Sequence, residues 1–300
     1  MLAMFDSIDD AAARLAQQCY FVDRDVATTV FLGARLRKPI LIEGERGSGK
    51  SDLARAIAKA LDTKLIRLQC YEGIDEEHAV YGWDQPRQLL RMQLAAAAGE
   101  PIERAEREVF TEEYLLKRPI LEALTLEGPA VPVLLIDEMD RADERFETSF
   151  LDILTGLEVT IPGLGALEAT RPPLIVLTSN GARALSGALK ARCLYLWLSH
   201  PTFDREYEVL TTKVPGISHS LAGEICNFMQ RIRAEDFRHC PGIAETIAWG
   251  TALAALHRTS LDPEIVDQTI GCVFNNPSDI DRFRSHDTTT LMRPSVDRAG

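Results

Sequence analysis

Residues Gly44, Glu45, Arg46, Gly47, Ser48, Gly49, Lys50 and Ser51 fit the pattern G-x-x-x-x-G-K-[ST], and they constrain the fold more than any other segment. The run before them, Pro39 to Glu43, is short and apolar, as a buried strand is. The run after them, Asp52 to Leu61, has helical spacing. A glycine-rich turn between strand and helix points backbone N–H groups, and the positive helix end, at a bound polyphosphate. In that reading Gly44 to Asp52 cradle the phosphates. Lys50 reaches the β- and γ-phosphates, and the Ser51 hydroxyl ligates Mg²⁺.

A phosphate loop needs a second element. Val133 to Ile136 is an apolar run that ends in Asp137 and Glu138. Its length and composition are those of a buried strand. Asp137 at the strand end is placed to hold Mg²⁺ through water, and Glu138 to orient or deprotonate an attacking water. A plain strand ending at a polar helix cap is the alternative. A third apolar run, Leu174 to Ser179, stops at Asn180. Asn180 is the candidate polar group near the γ-phosphate, and a turn-starting asparagine is the plainer alternative.

In this order the motifs resemble an AAA+ ATPase: phosphate loop, Asp-Glu strand end, Thr178-Ser179-Asn180, then Ala188 to Cys193. The segment Val159 to Glu168 looks like the extra β-hairpin of the MoxR branch. Cys70 to Asp75 and Gln88 to Gln93 resemble its CoxD-like members. The resemblance covers the chain from about residue 15 to about residue 275. It implies ATP and Mg²⁺ as cofactors, ATP hydrolysis, and a homo-oligomeric ring, a hexamer. Nucleotide would lie between neighbours, and Arg192 would reach across as an arginine finger. It further implies a protein client, a metalloenzyme of the molybdenum carbon monoxide dehydrogenase type, matured with a von Willebrand factor A-domain partner. One departure stands out. The lid position that usually carries the sensor 2 arginine matches Pro241 to Ile247, which has none. Arg238 or His239 could substitute, and the role is left unassigned.

Composition narrows the alternatives. Hydrophobic content of 46% and charged content of 26% suit a soluble globular protein. No apolar run approaches the ~20 residues that span a bilayer. The N-terminus, with Asp6, Asp9 and Asp10, does not read as a secretory signal. The six cysteines form no C-x-x-C pair, so reduced thiols in the cytoplasm are expected. His239 and Cys240 are adjacent, but a metal site needs more ligands than these two. A net charge of −12 disfavours nucleic acid as a partner.

The expected fold is α/β: a P-loop AAA+ core with a parallel five-stranded sheet, followed by a small all-helical lid. Residues 1–200 would form the nucleotide-binding domain, with the hairpin near 158–170, and 201–276 the lid. The polar tail, 277–300, is expected to be disordered. Residues 11–36 read as helical with a break at Tyr20, Phe21 and Val22 that could flank an adenine. Residues 74–127 read as mostly helical. Trp83 in that stretch either packs beneath those helices or faces a ring pore. Two other functions remain open: a small-molecule kinase on the same loop, and a nucleotide-dependent scaffold with little turnover.

Overall fold

The computed structural model describes residues 4–285 apart from 129, 170 and 236. Helices α1 (Ile8–Ala16) and α2 (Arg24–Leu36) fill the first helical stretch. The break between them passes through Cys19, whose φ is +56°. Strand β1 (Ile40–Gly44) enters the phosphate loop and α3 (Lys50–Ala60) leaves it, followed by β2 (Leu65–Gln69). The long connection onward holds α4 (Glu76–Ala79), β3 (Tyr81–Trp83), α5 (Gln85–Ala98), α6 (Ile102–Val109), β4 (Leu115–Lys117) and α7 (Pro119–Thr125). Then come β5 (Val133–Asp137), α8 (Glu144–Gly156), the hairpin β6 (Glu158–Ile161) and β7 (Gly165–Glu168), β8 (Leu174–Ser179), α9 (Gly187–Arg192) and β9 (Leu194–Leu198). Helices α10 (Phe203–Lys213), α11 (His219–Ala234), α12 (Ile243–Ala255), α13 (Pro263–Thr269) and α14 (Pro277–Ser285) complete the chain.

The α/β fold with a parallel five-stranded sheet is present, in the order β2-β5-β8-β1-β9. Every residue of β5 and β8 is buried, which is why both read as unbroken apolar runs rather than alternating ones. The register sets Glu43 opposite Ser179 and Gln69 opposite Asp137. The carboxyl ends of β1, β2, β5 and β8 therefore share one edge, where open α/β sheets place their chemistry.

The described residues group into two compact units. One holds 4–11, 24–43 and 57–196; the other holds 12–23, 44–56 and 197–285. The core of the first is built on Leu134, Ile136, Ile175 and Leu177 of the sheet, with Ile120 and Leu121 of α7 and Phe146 and Phe150 of α8. Val159 and Ile161 anchor the hairpin to it, and Gly163 and Gly165, at φ of +90° and +87°, make its turn. The core of the second is aromatic: Trp249, Phe228, Phe274 and Phe283. Burying each such ring contributes roughly 1.5–3 kcal/mol.

Residues 74–127 are mostly helical, as expected, and they also hold the antiparallel pair of β3 and β4, with Trp83 opposite Leu115. Three-residue strands are too short to show an alternating pattern. Trp83 packs edge-on against Phe110, ring centroids 5.3 Å apart. The polar tail is also ordered further than expected: 277–285 form α14. Phe283 is buried in the aromatic core, and the Asp279 carboxylate accepts the Arg238 and His239 N–H groups at 3.0 and 3.1 Å. The remainder of the tail, 286–300, lies outside the described residues.

Candidate functional site

The phosphate loop belongs to the second unit. Gly47 and Gly49 have φ of +74° and +91°, a region that side chains avoid. A Cβ on Gly44 would lie 2.1 Å from the Leu198 carbonyl oxygen, and one on Gly47 would lie 2.7 Å from the Gly242 Cα. The loop is thus glycine-rich for two reasons, backbone angle and close approach. Ile243, first residue of α12, donates its N–H to the Gly47 carbonyl at 3.1 Å. Lys50 is buried, and its ammonium donates to the carbonyls of Gly44 at 2.8 Å and Glu45 at 2.6 Å. The Ser48 hydroxyl is buried with no hydrogen-bond partner among the described residues. Such a group costs about 1–3 kcal/mol until a ligand satisfies it. A buried ammonium, an orphaned hydroxyl and a turn with no room for Cβ atoms fit a polyphosphate. Ser51 and Asp52 occupy the first turn of α3, where Asp52 pairs with Arg55 at 2.5 Å; Glu45 and Arg46 are exposed.

A solvent-open cleft of about 620 Å³ borders this loop, lined by Tyr20, Phe21, Ser48, Gly49, Ile243 and Ile247 among others. The Tyr20 hydroxyl donates to the Gly49 carbonyl at 3.1 Å. Burial, and then the nearby Asp52 carboxylate, push its pKa up, so it stays a donor. The same unit also draws together Glu45, His200 and Cys240. Burial, and then Arg233, lower the His200 pKa.

The carboxylates belong to the first unit. Asp137 ends β5 and is buried. Its Oδ1 accepts from the Thr178 hydroxyl at 2.6 Å, and its Oδ2 from Arg67 Nε at 2.9 Å. Glu138 follows in the left-handed region, φ +56°. That turn lifts its side chain off the strand's alternation, and its N–H donates to Thr178 Oγ1 at 2.9 Å. Its Oε1 lies 3.3 Å from Asn180 Nδ2; its Oε2 accepts from Gln69 at 2.9 Å and Arg141 at 3.1 Å. The corner is anionic: burial, then Asp137, Asp140 and Glu138, push the Cys70 thiol up to about 12.

Glu138 and Asn180 are therefore brought together, whereas Arg192 stands apart. Arg192 ends α9, exposed, donating through Nε to Thr155 of α8 at 3.3 Å and through Nη1 to the Ala188 carbonyl at 3.1 Å. Arg183 is structural instead, donating to the Ala142 carbonyl at 3.0 Å and to buried Glu147 at 2.9 Å. Burial by itself would raise the Glu147 pKa, but bonds from Ser186 and Arg183 outweigh it and hold the carboxyl below its ordinary range. In the second unit, Arg238 and His239 give their backbone N–H groups to Asp279. Arg233 of α11, its side chain only 6% exposed, forms a two-pronged pair with Glu206 at 2.6 and 2.7 Å.

Sequence reasoning missed Arg67, Gln69 and Thr178. Arg67 and Gln69 share one face of β2 by the strand's period of two. That signal was legible, but the pairing of β2 with β5 was not.

The fold and these two constellations define a P-loop nucleotide-binding α/β protein with a helical extension. Residues 39–193 match the AAA domain, dynein-related subfamily, and the chain belongs to that family. No curated protein matches it. Among solved structures it is similar to a Thermotoga maritima RuvB P216G mutant: 18% identity, TM-score 0.50, with 91% of this chain and 74% of that one covered. A candidate ATPase from Cytophaga hutchinsonii aligns at 14% identity and TM-score 0.47, covering 95% and 91%. These likenesses speak to fold alone. Among the described residues no helix is long and apolar enough to cross a membrane.

Proposed function

We propose that this chain is an ATP-hydrolysing ring ATPase of the MoxR type that remodels or matures a client metalloenzyme. Lys50 and the loop amides would bind the ATP phosphates, and Ser51 and Asp137 would hold Mg²⁺, which supplies charge neutralisation when bound. Tyr20 and Phe21 would flank the adenine. The observation that carries the reading is Glu138, held in a left-handed turn beside Asn180 and Gln69. A carboxylate fixed by amide donors suits orientation and deprotonation of water. A kinase would need an acceptor pocket and a lid with catalytic arginines, and a scaffold would have no use for the pair.

Arg192, exposed at the end of α9, is free to serve a neighbouring subunit's nucleotide. The ring would be a hexamer in the cytoplasm. The client would be a molybdenum carbon monoxide dehydrogenase-type enzyme, with a von Willebrand factor A-domain protein as co-factor in maturation. The acidic net charge of −12 supports a protein rather than a nucleic-acid client.

The test is Glu138→Gln, which keeps shape and hydrogen bonding but cannot accept a proton. ATP should bind as in the parent, and turnover should fall by about a hundredfold or more. Unchanged turnover would move the base elsewhere and revive the kinase reading.

A further inference from the structure

Three side chains that are far apart in sequence converge beside the phosphate loop. Glu45 is the second residue of that loop, His200 follows β9, and Cys240 precedes α12. One ligand atom from each lies within 4.8 Å of the others. The His200 side chain is only 11% exposed. Both of its ring nitrogens are shielded from solvent, and neither has a hydrogen-bond partner among the described residues. Nε2 comes within 2.7 Å of Glu45 Oε2, yet out of line for a hydrogen bond. The ring and the carboxylate thus lie side by side as two potential ligands. A buried imidazole with neither nitrogen satisfied is destabilising, and a cation on Nε2 removes part of that penalty.

We propose that Glu45, His200 and Cys240 form a binding site for a zinc-class divalent cation. A thiolate, an imidazole and a carboxylate are the donor set of zinc, and three protein ligands leave the fourth tetrahedral position to water. Zinc bonds are roughly 2.0 Å to nitrogen and 2.3 Å to sulfur, and the three ligand atoms already lie within 4.8 Å of one another. Coordination converts the Cys240 thiol to thiolate and releases its proton to solvent. His239, beside Cys240 in sequence, is not a ligand: its Nδ1 lies 3.4 Å from Asp279. The bound ion would tie the phosphate loop to the segment entering α12, next to the Gly47–Gly242 contact. Metal binding would thereby stiffen the loop, a role separate from the Mg²⁺ that accompanies ATP.

The test uses the full chain, free of affinity tags and stripped of metal, with no nucleotide present. Titration with Zn²⁺ against a chromophoric chelator should give one equivalent with a Kd below about 1 µM. Co²⁺ should produce a thiolate charge-transfer band in the near ultraviolet. Cys240→Ser should abolish that band and weaken Zn²⁺ binding by about a hundredfold. Cys272→Ser, at a thiol outside the cluster, should change neither. Glu45→Gln alters an exposed side chain and so keeps the fold; it should weaken Zn²⁺ about tenfold while retaining the band. Less than one equivalent bound, no charge-transfer band, or equal Zn²⁺ affinity in Cys240→Ser would overturn the site. Failure here leaves the ATPase reading intact, because no ATP turnover is measured.

Discussion

The carboxylate corner and the phosphate loop treat their buried polar groups in opposite ways. Asp137 has bonds from Thr178 and Arg67, and Glu138 from Asn180, Gln69 and Arg141. In the loop, Ser48 Oγ has no hydrogen-bond partner among the described residues, nor has the neighbouring His200 ring, and Lys50 turns its ammonium onto carbonyls of its own loop. On the proposed function, the difference follows from what each would do. Groups that act on a developing charge work best when fixed beforehand. Groups that bind a ligand must keep donors for it, at some cost in stability. Asp140 departs from the pattern: one oxygen accepts the Ala182 N–H at 2.8 Å and the other has no partner.

The sharpest way to break the contrast is at Arg192, which belongs to neither corner. Acting in trans, it should be worth about a thousandfold in turnover. Arg192→Ala should bind ATP and hydrolyse it poorly, and Lys50→Ala should be inactive alone. Mixing the two creates interfaces with an intact loop facing an intact arginine, so activity should return in the mixture. Absence of rescue, with subunit exchange verified by mass spectrometry, would remove the finger assignment. Full activity of Arg192→Ala by itself would do the same.

Lys50→Ala also probes the loop directly. Losing charge-assisted bonds to two phosphates should weaken labelled ATP binding by about a hundredfold. Equal affinity in the variant would mean that the loop is not a ligand site.

Arg67 sharpens the other side. Arg67→Ala removes one of the groups that hold the buried Asp137 carboxylate. Arg67 is 44% exposed, so water replaces part of the loss. Stability should fall by about 1–3 kcal/mol, and kcat should drop roughly tenfold with KM nearly unchanged. A rise in KM alone would show that Arg67 serves binding rather than positioning of Asp137.

The smallest effect is expected at Glu147. Its folded pKa lies below the unfolded value, so its contribution is present above about pH 4.3 and lost as pH falls through the folded pKa. Glu147→Gln should lower the melting temperature at neutral pH and flatten its decline at acid pH. Parallel acid limbs for parent and variant would remove Glu147 from the set of held carboxylates.

Much of this site is legible in the order of residues along the chain. The phosphate loop announces itself because its glycines answer to local backbone angles, and Lys50 and Ser51 sit at fixed offsets from them. Asp137, Glu138 and Asn180 are readable because buried parallel strands are unbroken apolar runs, and a polar residue at such a run's end marks the sheet edge. The short β3–β4 pair is not readable, because three residues carry no period. Helix α14 is not readable either. Its polar surface hides that Phe283 is buried in the aromatic core.

Sequence by itself thus determined most of the helices, the five strands of the main sheet and the loop, since each depends on neighbours a few residues away. Tertiary structure decided which residues share a corner. It set Arg67 and Gln69 of β2 against Asp137 and Glu138 after β5, a separation of about 70 residues. It also split the adjacent pair His239 and Cys240, giving the first to Asp279 and the second to Glu45 and His200. The reason is physical. Local propensity fixes where a chain turns and coils, but side chains distant in sequence meet only when burial of the apolar faces fixes strand order and register.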